Sequence, residues 1–263
     1  MAKLYIGDSQ GAPAIVKVEE VEKTKFGVGI DSLLGSVNAN NEYVLPTKPV
    51  DLDLTGVKSL PRHAFSNFAS NERIILNNII APDLEYIAPR GFYNFANSGT
   101  ILGRAEFGIE EIATEAAFEY AFNQCEYVPG NIVFPKLKKV NHNSVFLYFL
   151  GSMYAAWDDI FPVLEEISGD KPFSYFCSSR DKIQRLSAVK KIQGGTRSKY
   201  NATFYGITKH TFYLPNITYL SDYVFDSTTI EIHFSAVNQS LIEECIGYDT
   251  KFGATNATIY FDL

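Results

Sequence analysis

At 263 residues with 46% hydrophobic content, the chain is long enough to bury a sizeable core, as one elongated body or as two domains. A net charge of −7 argues against nucleic acid or an anionic membrane as main partner, because both reward clustered Lys and Arg. Sixteen Tyr and 20 Phe beside ordinary Gly and Pro argue against disorder. Cys125, Cys177 and Cys245 form no C-x-x-C pair and read as small buried fillers. No stretch approaches the ~20 apolar residues of a membrane span, and Met1–Asp8 lacks the apolar run of a signal peptide.

Residues 1–48 have their own texture. Leu4-Tyr5-Ile6 and Ala14–Val18 read as short strands around the turn-rich Gly7–Gly11, and Tyr43–Pro46 as another. Gly27-Val28-Gly29 lacks the strand–turn–helix context of a nucleotide loop. The expected role is a small β-rich cap or attachment module, since the first unit of a solenoid exposes its core edge.

Residues 49–234 repeat. Aliphatic pairs at i and i+3 recur as Val57/Leu60, Leu84/Ile87, Ile109/Ile112, Leu137/Val140, Leu164/Ile167, Val189/Ile192 and Ile217/Leu220. Their first members stand at 57, 84, 109, 137, 164, 189 and 217, so the steps are 27, 25, 28, 27, 25 and 28. A period of this kind marks stacked units. Strands are predicted before the pairs at Asp51–Leu54, Asn78–Ala81, Asn131–Phe134, Asp158–Phe161, Ile183–Leu186 and Thr211–Leu214. Pro82, Pro135, Pro162 and Pro215 end four of them, since proline gives no N–H to a ladder. Aromatics such as Phe92/Phe95 and Phe146/Phe149 follow the pairs. Alone, one unit cannot bury these side chains; stacked ~4.8 Å apart, equivalent residues bury each other in columns. Arg104–Phe107 fits worst, with Glu106 at an apolar position, and a one-residue bulge turning Phe107 inward is expected there.

The phrases Ile80-Ala-Pro-Asp-Leu-Glu-Tyr-Ile87 and Leu60-Pro-Arg-His-Ala-Phe-Ser-Asn-Phe68 resemble BspA-like (Treponema pallidum type) leucine-rich repeats, with consensus I-x-x-P-x-L-x-x-I-x-x-x-A-F-x-x-C. The resemblance covers about Val50 to Phe234, with many alanines and cysteines of the consensus replaced. It implies a leucine-rich-repeat solenoid, a parallel strand ladder with short helical or looped returns, and a family of mostly bacterial surface or secreted proteins implicated in adhesion. Residues 235–263 read as a closing cap, with a short helix started by Asn238 or Ser240, ended by Gly247, and a last strand Ala257–Phe261. This tail and Met1–Gly7 resemble the termini of phage or prophage structural proteins of gut bacteria.

Nothing in the sequence encodes a catalytic or metal site. His63, His142, His210 and His233 fall in different repeats without zinc spacing. Glu110-Glu111 and Glu165-Glu166 fill a phrase position that elsewhere holds Lys-Lys, so they read as a solvated turn rather than a hydrolase pair. Gly194–Arg197 lacks the lysine of a phosphate loop, and no Ser lies in G-x-S-x-G. No cofactor is expected.

What remains is the outward face of the strands, where Ile80, Val133, Ile160, Arg185 and Tyr213 fall in one column with Trp157 at its rim. That column is more apolar than a scaffold requires. The expectation is a non-enzymatic module that binds a protein or glycan through this face. It would be a phage structural or host-contacting protein, virion-associated or cytoplasmic as written. Alternatively it is a bacterial surface adhesin whose leader has been removed.

Overall fold

The structure, a computed structural model, describes residues 4–7, 14–18, 50–68, 75–98, 100–127, 131–151, 156–176, 182–194, 201–207, 210–226, 230–254 and 256–263. Only the backbone is described at 4–7, 14–18, 50, 75, 126–127 and 182. Cys177 and the expected strand at 43–46 lie outside these residues.

The first wall consists of β1 (Leu4–Gly7), β2 (Ala14–Val18), β3 (Val50–Asp53), β4 (Ile75–Ala81), β5 (Ala105–Phe107), β6 (Ile132–Val133), β7 (Lys182–Arg185), β8 (His210–Leu214), β9 (Ile230–Phe234) and β10 (Ala257–Phe261). β1 runs antiparallel to β2. Every other neighbouring pair is parallel, from β2 to β6 and again from β7 to β10. A second parallel wall stacks Glu111–Ile112, Lys139–Asn141, Glu166–Ser168, Lys191–Gln193 and Tyr219–Leu220, with Ser59–Leu60 and Tyr86–Ile87 paired separately. The chain is a parallel β-solenoid of about six turns, about 27 residues per coil, with little helix.

All seven aliphatic pairs point inward and are buried. Phenylalanine columns fill the interior. In one, Phe65, Phe92, Phe118, Phe146 and Phe173 stack at 5.1, 4.9, 5.4 and 5.0 Å between centroids. In another, Phe107, Phe134 and Phe161 stack at 4.9 and 5.3 Å. A buried Phe makes dozens of weak dispersion contacts, so a column of them is a rigid spine.

The third wall is made of turns. Here alternate amides reach the next coil: His63, Phe65 and Asn67 donate to the carbonyls of Pro89, Gly91 and Tyr93. The amides between them, Ala64, Ser66 and Phe68, close turns onto Pro61, His63 and Phe65. This geometry repeats two left-handed positions in five coils, and Ala96, Phe122 and Leu150 add a third in the middle three (φ 47 to 54°). One column is His63, Arg90, Ala116, Ser144 and Lys171 (φ 55 to 60°); the other is Asn67, Asn94, Tyr120, Tyr148 and Tyr175 (φ 52 to 61°). Only Asn and His among these visit that region readily, so the stacking imposes it.

Three expectations need correction. The segment predicted as the strand Asp158–Phe161 is a helical turn, α1 (Trp157–Ile160), which splits the first wall between β6 and β7. A strand with Trp157 and Phe161 inward would carry Asp159 into the core with them. The helical turn buries Trp157, Ile160 and Phe161 and leaves Asp159 exposed. The inward Gln184 then accepts the Trp157 N–H through Oε1 (3.2 Å), and Asp158 accepts both the amide (2.9 Å) and the hydroxyl (2.6 Å) of Ser187. Second, no bulge is present at Glu106. Phe107 is inward and pairs with Ala81 in plain register, and Glu106 faces out beside Arg104 (3.0 Å). The extra residue lies just upstream, since Leu76 pairs with Ile101 but Ile79 with Ala105, and a further shift falls between β3 and β4. Third, the short helix α2 (Gln239–Glu243) ends before Gly247, and no side chain caps it. Asn238 donates instead to the Ile217 carbonyl (3.0 Å), holding α2 against the last coil of the second wall.

Candidate interaction surface

The outward column splits into two unlike halves. In the N-terminal half, Asp53, Ile80, Glu106 and Val133 lie in register. Ile80 is 41% exposed, but Val133 is only 7% exposed and the charged Glu106 separates them. Trp157 and Ile160, expected at the rim and on the outward face, are each 1% exposed. Trp157 packs among Phe161, Phe173 and Phe176 with centroids 4.9, 4.5 and 5.4 Å away. Val133, Trp157 and Ile160 therefore offer nothing to a ligand.

In the C-terminal half the column is continuous and outward: Arg185 is exposed, Tyr213 half-buried, the His233 side chain 12% exposed between its neighbours and Tyr260 37% exposed. Arg185, Tyr213, His233 and Tyr260 occupy equivalent positions on β7, β8, β9 and β10. The Arg185 guanidinium lies 5.2 Å from the Tyr213 centroid. Tyr213 stacks on His233 at 4.6 Å and 18°, and His233 on Tyr260 at 4.5 Å and 14°. The His233 ring is oriented by Asp262, to whose two carboxylate oxygens Nδ1 donates at 2.9 and 3.0 Å. Beside the stack runs a second row of Ile183, Thr211, Glu231 and Thr258, in which Ile183 is 63% exposed.

His233 and Tyr260 escape a reading by period, because the β8–β9 coil is shorter: Thr211 and Glu231 are 20 residues apart. The usable signal is local. Tyr213-Leu214, His233-Phe234 and Tyr260-Phe261 each set a flat polar ring just before an inward apolar residue.

The turn wall carries a second aromatic row. Tyr120 and Tyr148 stack at 4.8 Å, and Tyr148 and Tyr175 at 4.3 Å and 3°. Burial pushes the Tyr120 and Tyr175 hydroxyls above the usual tyrosine range. These rings cover each other's faces, so the row presents edges and hydroxyls.

On the second wall, charge alternates coil by coil. Lys58 pairs with Glu85 (2.7 Å), Glu110 with Lys138 (3.3 Å) and Glu165 with Lys190 (3.0 Å), while Lys139 sits between Glu111 (3.8 Å) and Glu166 (3.9 Å). The exception is Glu85 beside Glu110 and Glu111, where the wall is unpaired and a cleft of about 500 Å³ opens over Gly108. Lys136 spans it to reach the Pro82 carbonyl (3.1 Å). Among the described residues, no group of three or more His, Cys, Asp or Glu is placed to hold a metal ion.

No family model, curated protein or solved structure matches the chain. Among the described residues, no helix is long and apolar enough to cross a membrane.

Proposed function

We propose that this protein is a non-enzymatic interaction module that binds a protein or glycan through the Arg185–Tyr213–His233–Tyr260 face. One observation carries the reading: a guanidinium and three flat polar rings form a continuous outward-facing stack on four consecutive strands, with Arg185 and Tyr260 exposed at its two ends. Arg and Tyr are enriched among residues that dominate binding energy. At ~4.8 Å per strand the stack is ~14 Å long, enough for a short peptide or a few sugar units. The phrase Pro-x-aliphatic-x-x-aliphatic, turning from the first wall into the second, supports classing the solenoid as a BspA-like leucine-rich repeat. The terminal resemblance supports a phage structural or host-contacting setting, and the repeat resemblance supports a surface adhesin.

The test compares the intact chain with Arg185→Ala/Tyr213→Ser on immobilised glycans, mucins and host cells. Both side chains face outward, so the double variant keeps its circular dichroism spectrum and melting temperature. Binding is expected to weaken by ~2 kcal/mol or more. A folded variant that binds as the intact chain does sinks the reading.

A further inference from the structure

We infer that β10 is a self-recognition edge, and that two copies of the chain pair antiparallel along it, Ile259 of each opposite Phe261 of the other, to form a closed two-fold dimer.

Amide direction decides which backbone groups face the open edge. Along the first wall, inward residues donate to the following coil: Leu54 to Ile80, Phe134 to Ile160 and Leu186 to Tyr213. Continued to β10, the same alternation turns the N–H and C=O of Ala257, Ile259 and Phe261 to the far edge. Among the described residues no strand pairs with that edge. One acceptor there is already engaged, since Lys251 donates through Nζ to the Ala257 carbonyl (2.9 Å). With the Ala257 carbonyl taken, Ile259 and Phe261 are the described β10 residues that offer both an N–H and a C=O to that edge. The two-fold register that uses all of them sets Ile259 against Phe261, giving four backbone hydrogen bonds across the pair.

Side chains agree with this register. Ile232 and Phe234 are fully buried by β10, whereas Ile259 and Phe261, their equivalents on β10, remain half-exposed. Pairing sets each of these against the other's counterpart and covers both. β10 itself carries neither a charge nor a proline, the usual protections of a free edge. The same end of the solenoid is apolar elsewhere. α2 lies against the last coil of the second wall, and around it Val237, Ile246 and Leu241 are 88, 84 and 48% exposed.

Charge agrees as well. In this register Asp262 of one copy lies opposite Thr258 of the other, next to the strand end where Lys251 sits, so each acidic end meets a basic one. Tyr260 falls opposite Tyr260 in the closely spaced type of antiparallel pair. The Arg185-to-Tyr260 stack would then run on into its copy, doubling the length of the outward stripe. The pairing does not depend on what that stripe binds.

The experiment is sedimentation equilibrium of the full chain through the micromolar range, with amide hydrogen exchange. A monomer–dimer equilibrium is expected, with slow exchange at Ile259 and Phe261 that is lost on dilution. Thr258 is exposed and outward, so its variants test register without disturbing the core. Thr258→Asp opposes Asp262 twice per dimer and should weaken association about tenfold, whereas Thr258→Lys should strengthen it. Melting temperatures confirm that both variants fold. A chain that stays monomeric, or an assembly that grows beyond two copies, overturns the inference. So does fast exchange at Ile259 and Phe261 in the associated form, or a shift in the same direction from both variants.

Discussion

Gly206 lies against the ring of Tyr175 so closely that a Cβ added to it would stand 2.3 Å from the ring's Cε1. It follows Tyr120, Tyr148 and Tyr175 in the left-handed column of the turn wall, with φ at 71°. Face-to-face stacking ends there: the next coil lays the bare backbone of Gly206 on the Tyr175 ring, and Tyr205 meets that ring edge-on at 5.4 Å. Gly206→Ala combines left-handed strain with overpacking against a ring, and the expected cost is about 2–4 kcal/mol. Urea unfolding of the variant checks it. A loss under about 1 kcal/mol would mean that the row shifts freely.

The alternating charges of the second wall specify which coil lies on which. Each exposed pair contributes only ~0–1 kcal/mol, but a stack slipped by one coil would set like charges against like. Replacing Lys138 and Lys139 by Glu puts six carboxylates in three successive coils, Glu110-Glu111 and Glu165-Glu166 flanking the new pair. We expect about 1–2 kcal/mol of destabilisation, shrinking in molar salt. Lys138→Gln/Lys139→Gln should cost less. Equal effects in both variants, or no response to salt, would remove the electrostatic account.

Much of this architecture was legible. The seven aliphatic pairs and the prolines after the strands define the inward face, because burial at a fixed period leaves few alternatives. The sign alternation from Lys58 to Glu85, and from Glu110-Glu111 through Lys138-Lys139 and Glu165-Glu166 to Lys190-Lys191, also stands in the sequence. Read one position at a time it resembles tolerance of either charge; read between coils it is pairing. The left-handed column was not legible, because His63, Arg90, Ala116, Ser144 and Lys171 share no chemistry. Their backbone conformation is imposed by hydrogen bonds to neighbouring coils. The candidate surface was half legible: Arg185 and Tyr213 lie in it, while His233 and Tyr260 were hidden by the short coil before β9.

His63 should give stability a pH dependence. Its pKa is lowered, first by burial and then by Arg62 and Arg90, so the folded state binds a proton less readily than the unfolded chain. The sign follows: the contribution is fully present above the unfolded value of ~6.5 and is lost as pH falls through the lower folded value. His63→Asn retains a residue that tolerates φ of 59° and should flatten the urea midpoint against pH in that window. An unchanged slope in the variant would place the titrating group elsewhere.

The last prediction separates two isoleucines that a strand reading puts in one column. Ile80 sits on β4, outward and 41% exposed; Ile160 closes α1 and is 1% exposed. If α1 is a helical turn, Ile160 belongs with Trp157 and Phe161 in the interior, and Ile160→Ala leaves a cavity costing about 2–4 kcal/mol. Ile80→Ala removes an outward side chain and should change stability by less than about 1 kcal/mol. Both are read from urea midpoints at one pH. Should the two substitutions cost the same small amount, residues 157–160 continue the strand ladder with Ile160 facing solvent. Asp159 would then point toward the core, and the first wall would run unbroken from β6 to β7.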